Sequence, residues 1–416
     1  MTFDSYIRSV IAPNISKTTA LPAYSGPDIL ASLSYTEELR VKRSAWGRFA
    51  KELKIGDARI EEIVEAPMPR GYRATSRRRL IVHRGIPTLA HGEGSVLDAA
   101  QAALLEPSSH AAIYEVVERL ARPGKSPVLL NHVMIRGSYD EHVVIFDVKE
   151  VDADVVRTLR KWTQTISKAA PSVKHAWIYH DPAATNFFIE QERPPHGYVG
   201  KKLVGSAAWI QTVNDIAYQV GVFSFSQINL AMVPQLIDAV KRARGPAGGT
   251  LYDLYSGYGL YGAAFAKEYE RIVAIDADEV TIDNARYNIK RAGGTVQATP
   301  AMLSSKTIDR LLEAEHKIES STETPIRRTI IIDPARGGMA PGVRGGIAEL
   351  APERIVELFN EPDEINRTVR EWAAAGYACD IVIPLDLYPG TAAIEVVLGF
   401  KKRQAIRSRA HVKTSR

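Results

Sequence analysis

Residues 250–293 constrain the fold more tightly than any other stretch of this chain. A short apolar run, Leu251 to Leu254, ends in a glycine-punctuated loop, Ser256-Gly257-Tyr258-Gly259. A helical pattern follows, and then a second apolar run, Arg271 to Ile275, that stops at an acid, Asp276. Strand, glycine-rich turn, helix, strand and acid make up the first half of a nucleotide-binding α/β sheet. The glycines let the backbone come close to a ligand, because a Cβ there would collide with it. An acid at the tip of the second strand can accept hydrogen bonds from two ribose hydroxyls.

The loop favours S-adenosylmethionine over a dinucleotide. A dinucleotide loop keeps a further glycine that admits a pyrophosphate at the helix N-terminus. Here the region is aromatic, with Tyr255, Tyr258 and Tyr261. Asp253, at the end of the first strand, would repel a pyrophosphate and suit a cationic sulfonium and amino group. A lone glycine-rich loop is a weak motif, and by itself this one also fits any doubly wound α/β domain.

With 416 residues the chain has room for two or three domains. Its single cysteine, Cys379, excludes a disulfide framework and a multi-cysteine metal or iron–sulfur site. The N-terminus has no apolar signal core and no run approaches a membrane span, so a soluble cytoplasmic protein is expected. A net charge of +5 leans modestly toward polyanionic partners. That lean is concentrated in residues 69–85, where Arg70, Arg73, Arg77, Arg78, Arg79 and Arg84 surround Tyr72 with no acid among them. Dense arginine beside an aromatic suits phosphate neutralisation and base stacking; the alternative is a strand edge kept soluble by charge.

Residues 1–30 read as an arm or loosely packed lead-in. Residues 33–54 read as an amphipathic helix with Leu39, Trp46, Phe49 and Leu53 on one face. Residues 97–121 look helical, 127–137 and 142–150 look like paired strands, and 152–170 form a helix capped by Asp152. Past the glycine-rich half come a strand at 329–338, a further segment at 354–362, a helix at 362–375 and a strand at 380–385. Residues 386–400 read as a loop and an edge strand. The tail from Lys401 is basic and lacks acids.

Several motifs, in order, resemble the RNA 5-methyluridine methyltransferases, which methylate C5 of a uridine. Gly71-Tyr72-Arg73 resembles that family's G-Y-R segment. Phe225-Ser226-Gln227-Ile228-Asn229 resembles its F-F-Q-V-N motif, which implies that Gln227 touches the cofactor. Asp253 to Gly259 is similar to its D-L-F-C-G-V-G loop, which places Asp253, Tyr255, Ser256, Gly257 and Gly259 around the cofactor and Asp276 on the ribose. Asp333-Pro334-Ala335-Arg336 resembles its D-P-P-R motif, facing cofactor and base. Asp386-Leu387-Tyr388-Pro389-Gly390-Thr391 with Glu395 resembles its D-M-F-P-x-T-x-H-V-E ending, where the glutamate removes a proton.

The departures fall at the target base. The family's nucleophilic cysteine lies in an S-C-N-P loop, and this chain has Phe359-Asn360-Glu361-Pro362 instead. Uracil C5 needs a thiolate on C6 before it can attack a methyl sulfonium, and a carboxamide cannot provide one. The resemblance therefore implies an S-adenosylmethionine-dependent RNA methyltransferase with a rebuilt base site, with ribosomal RNA favoured over tRNA. Glu395, Asn360 and Asp333 would act on the base; Glu361 is a second candidate base. Arg70, Arg73, Arg77, Arg78, Arg79 and Arg336 would contact RNA. The main alternative is a non-catalytic RNA-binding relic; methyl transfer to DNA or a small molecule is a further one.

The expected fold class is α/β: a Rossmann-like class I methyltransferase domain with a seven-stranded mixed sheet, plus a central α+β RNA-binding domain. The expected division is an N-terminal arm and helix (1–58), a central domain (59–222), a methyltransferase domain (223–400) and a basic tail (401–416). A monomer is expected, with no metal, iron–sulfur cluster or membrane contact.

Overall fold

The computed structural model describes residues 2–14, 26–91, 96–122, 130–184, 200–321, 325–335 and 338–403. Arg336 and the tail beyond Arg403 lie outside the described residues.

Two helices open the chain, α1 (Phe3–Asn14) and α2 (Tyr35–Phe49). Helix α1 corrects the expected loose arm. Phe3, Tyr6, Ile7, Val10 and Ile11 form a buried stripe that packs on Trp46 and Phe49 of α2. Ser34 caps α2 in a reciprocal capping box with Glu37, which fixes where the helix starts. A short strand, β1 (Arg59–Ile60), follows.

The central unit contains β2 (Ser76–His83), β3 (Ile86–Ala90), α3 (Val96–Ala103), α4 (Ser108–Leu120), β4 (Leu130–Gly137), β5 (His142–Val148), α5 (Ala153–Ala169), β6 (Val173–His180) and β7 (Gly200–Val204). The stretch expected as one helix at 97–121 is two, because Pro107 cannot sit in a helix interior. The six strands run β3-β2-β4-β5-β6-β7. Successive side chains of β5 alternate between two cores. Val144, Phe146 and Val148 face Val155, Leu159 and Trp162 of α5, while Val143 and Ile145 face the core shared with the remainder of the chain. A hairpin, β8 (Ala208–Val213) and β9 (Ile216–Gly221), completes this half.

The second half holds α6 (Val233–Arg244), β10 (Thr250–Leu254), α7 (Leu260–Ala264), β11 (Arg271–Asp276), α8 (Glu279–Arg291), β12 (Val296–Pro300), α9 (Ser305–Glu319), β13 (Arg328–Ile332), α10 (Val343–Glu349), β14 (Arg354–Phe359), α11 (Ile365–Ala374), β15 (Tyr377–Leu385) and β16 (Glu395–Lys402). Its sheet runs β1-β15-β16-β14-β13-β10-β11-β12. The seven expected strands form a mixed Rossmann-like sheet, and β1 adds an eighth at the edge. Residues 59 and 60, expected to open the central unit, pair with Ile381 and Val382 of β15. Strand β16 is not the expected edge strand. It runs antiparallel between β14 and β15, which explains its apolar run Val396-Val397-Leu398. No helix of the described residues is long and apolar enough to cross a membrane.

One buried ion cluster ties the first helices to the loop after β15. Lys42 Nζ lies 2.9 Å from Glu38 Oε1 and 2.6 Å from Asp386 Oδ1, and it donates to the Tyr388 carbonyl at 3.1 Å. The side chains of all three charged residues are inaccessible to solvent. Replacing Lys42 by Met leaves the buried Asp386 carboxylate without its cation and Glu38 with Arg70 alone. The expected result is a loss of about 3–5 kcal/mol in urea unfolding; a loss below 1 kcal/mol would show that the cluster is not a structural tie.

Candidate active site

The parallel strands deliver the site. β10, β11, β13 and β14 all point the same way, and their carboxyl ends carry Leu254, Asp276, Ile332 and Phe359 in adjacent registers. Open α/β sheets bind ligands beyond those ends. Tyr255 to Gly259, Asp276, Asp333 and Asn360 therefore lie along one rim. Glu395 joins them from β16, because Val396 pairs with Phe359.

The glycine-rich loop is built for close approach. Gly257 has φ +52°, and a Cβ there would meet nothing within 4 Å, so the backbone borders open space. Gly259, at φ +80°, has a different reason to be glycine: a Cβ would lie 2.9 Å from Ala285 Cα. Tyr255 holds φ +60°, a strained conformation for a non-glycine residue that costs on the order of 1–3 kcal/mol. The strain turns the chain sharply at the end of β10. Asp276 Oδ2 accepts from Gly257 N at 2.9 Å and Oδ1 from Asp278 N at 3.0 Å, which fixes the carboxylate at the strand tip. Burial nonetheless raises its pKa.

Asp253 is fully buried. Its Oδ2 accepts from Gly262 N at 2.8 Å, while Oδ1 has no partner. Burial, with Asp333 and Asp276 nearby, pushes its carboxyl up to about 8. The Ser256 hydroxyl is likewise buried without a partner. Gln227 is buried in a segment pinned on both sides. Arg136 donates to Ser226 Oγ at 3.2 Å, and Asn229 Nδ2 donates to the Leu387 carbonyl at 2.9 Å.

The polar residues of the base side converge on two tyrosines that the sequence did not single out for the base site. Tyr261 Oη donates to Asp333 Oδ2 at 3.2 Å, and Asp333, Glu395 and Asp253 together with burial raise the phenol well above its usual range. Burial pushes Asp333 up to about 6. Tyr388 Oη lies 3.0 Å from Asn360 Oδ1 and 3.3 Å from Glu395 Oε2, so one hydroxyl bridges the carboxamide and the buried carboxylate. A signal was present: Tyr388 stands where the resembling motif has phenylalanine. Glu361 points to solvent. Cys379 is buried in β15 opposite Phe400, whereas Glu395 pairs with Leu385. Five strand residues, about 17 Å, separate those two pairs. Burial raises the Cys379 thiol to about 12.

Three of the six arginines, Arg70, Arg73 and Arg78, are held by carboxylates of the chain itself, which corrects the expected RNA contacts for those three. Arg78 makes a bidentate pair with Glu106 at 2.6 and 2.8 Å in the interior. Arg73 pairs with Asp28 at 2.8 and 3.2 Å. Arg70 donates to the carbonyls of Ala31 and Leu33 and lies 3.0 Å from Glu38 Oε2. Each of these guanidinium groups meets a carboxylate from elsewhere in the chain, as a buried arginine requires. Arg77 and Arg79 are half-buried on β2 and Arg84 is exposed at the hairpin turn.

Residues 200–398 match a family model described as tRNA (uracil-5-)-methyltransferase. An uncharacterised RNA methyltransferase of Chlorobaculum tepidum is 28% identical over 196 residues, 47% of this chain and 39% of that one. One of Lactiplantibacillus plantarum is 26% identical over 279 residues, 65% of this chain and 56% of that one. The chain thus spans about half the length of the curated relatives it matches. Among solved structures, the Pyrococcus abyssi tRNA (uracil-54, C5)-methyltransferase in complex with S-adenosyl-L-homocysteine shares the fold, with a TM-score of 0.63 over 92% of this chain and 86% of that one at 18% identity. The matched residues, just under half of the chain, carry the glycine-rich loop, the strand-tip acids and the glutamate strand in order, and over them this chain is similar to the tRNA (uracil-5-)-methyltransferase family.

Proposed function

We propose that the protein is an S-adenosylmethionine-dependent RNA methyltransferase that transfers the methyl group directly, without a covalent adduct to the base. The residues fit the donor: Gly257 borders open space, and Asp253 and Ser256 bring buried oxygens with no partner. Asp276 would hold the ribose hydroxyls and Asp253 the amino end. Gly257 and Gly259 would allow close approach, and Gln227, Tyr255, Ser256 and Asp333 would complete the wall. When bound, this donor supplies an electrophilic methyl on a sulfonium.

The contact between Tyr388 and Asn360 carries the reading. Two positions that depart from the family motifs touch each other, so the carboxamide is held in place as a hydrogen-bonding group. Asn360 and Asp333 would orient the base edge, and Glu395 would accept a proton from the nitrogen or hydroxyl being methylated. The distance and raised thiol pKa of Cys379 support a route that needs no thiolate. We favour ribosomal RNA as substrate, acted on by a cytoplasmic monomer. tRNA is the competing class, since it appears in the names of the family model and of the Pyrococcus abyssi enzyme.

Labelled S-adenosylmethionine and separated cellular RNAs test this. Label is expected in RNA, and nucleoside digestion is expected to release a methylated nucleoside other than 5-methyluridine. Label in 5-methyluridine would overturn direct transfer. Donor binding without any transfer would leave the RNA-binding relic.

A further inference from the structure

Half of the arginine-rich segment is spent on internal ion pairs, and a methyltransferase acting on RNA needs cations that face solvent. A second set lies on helix α5 and strand β7 of the same unit. Arg157, Arg160, Lys161 and Gln164 form one stripe along α5, and Lys201 of β7 joins them in lining an open, shallow groove of about 620 Å³. All five residues are exposed. The spacing from 157 to 164 is two helical turns, so the stripe follows the groove. Asp154 pairs with Arg157 at the rim, and both are well exposed. Among the described residues, Arg160, Lys161 and Lys201 have no carboxylate partner.

The groove is the wrong shape of chemistry for a small apolar ligand. Val156 is its one large apolar lining residue, and no aromatic lines it. Cations strung along a helix instead match the regular charges of a phosphodiester backbone. Their placement also matters. Helix α5 packs on the Val144, Phe146 and Val148 face of β5, and the Val143 and Ile145 face looks toward the catalytic half. The groove is therefore at least one sheet layer, about 10 Å, away from the side that meets the active site. A short single strand seated at the rim of Asn360 and Glu395 lies on the other side of that sheet layer, whereas a folded RNA can present its backbone to both faces.

We propose that the α5–β7 groove binds the phosphate backbone of a structured RNA at a distance from the methylated base, so that the substrate is a folded RNA and not an isolated loop. This rests on the RNA methyltransferase reading above. The test measures the affinity of the full chain for bulk tRNA, for a ribosomal RNA fragment and for a short single-stranded oligonucleotide, over a series of salt concentrations. The proteins are wild type, Arg160→Glu/Lys161→Glu, and the milder Lys161→Gln/Lys201→Gln, each checked for unchanged thermal unfolding.

The charge-reversed variant is expected to lose at least tenfold in affinity for the structured RNAs at 0.1 M salt. The slope of log affinity against log salt is expected to become shallower by about 1 for each cation neutralised. Binding of the short oligonucleotide and of S-adenosylhomocysteine is expected to stay within twofold. Unchanged affinity for structured RNA in both variants would overturn the proposal and return the stripe to an acidic protein partner or a solvated face. An equal loss on the short oligonucleotide would overturn it too, since a general field effect would then suffice. If wild type binds no RNA at all, the RNA reading itself fails, which separates that outcome from failure of the groove alone.

Discussion

Glu395→Gln is expected to slow methyl transfer to RNA by about 10²–10⁴-fold, with S-adenosylhomocysteine affinity unchanged. The carboxylate is almost completely buried at the end of β16, across from Asn360, and the Tyr388 hydroxyl lies 3.3 Å from it. A glutamine keeps the shape and can still accept a hydrogen bond from Tyr388, but it cannot take up a proton. The loss should therefore appear in kcat under saturating donor and RNA. If kcat is unchanged while the affinity for RNA falls, Glu395 holds the base and the proton leaves by another route.

Asp253→Asn is expected to have opposite effects on binding and stability. In the free protein the Asp253 carboxyl has a pKa of about 8, with burial as the main cause. A cationic donor beside it favours the ionised form, so donor binding releases a proton below pH 8. Affinity should then rise roughly tenfold per pH unit up to about 8 and level off above it. Asparagine cannot ionise: its affinity should be at least tenfold weaker at pH 8 and flat with pH.

Stability runs the other way. A carboxyl whose folded pKa is raised keeps its proton where the unfolded chain gives one up. Folding stability therefore falls as the pH rises from about 4 to about 8. A shift of this size is worth on the order of a few kcal/mol, and Asp253→Asn should recover part of it as a higher Tm at pH 8. A variant with normal donor affinity, or a wild type whose donor affinity ignores pH, would remove Asp253 from the donor site.

Some of this could be read along the chain and some could not. Apolar runs that end in an acid identify strand tips, so Leu254, Asp276 and Asp333 landed on one rim as their order implies. The stripe of Phe3, Tyr6, Ile7 and Val10 was also present in the sequence, but the polar, proline-containing residues after it masked the helix. Ion pairing was out of reach. Arg78 and Glu106 are 28 residues apart and Arg73 and Asp28 are 45 apart, so counting nearby acids made the segment look more available than it is. Tyr388 and Asn360 likewise meet only because β14 and β16 are neighbours, a pairing that chain order hides.

The position of β16 also affects the protein while it is being made. Strands β14 and β15 can form earlier, but the slot between them stays open until the residues up to Lys402 have emerged from the ribosome. During that interval two apolar strand edges await the same partner, a state prone to mispairing and a natural client for a chaperone. Glu395 arrives on that strand, so a nascent chain holds the glycine-rich loop before the carboxylate that lies beside Tyr388 is in place.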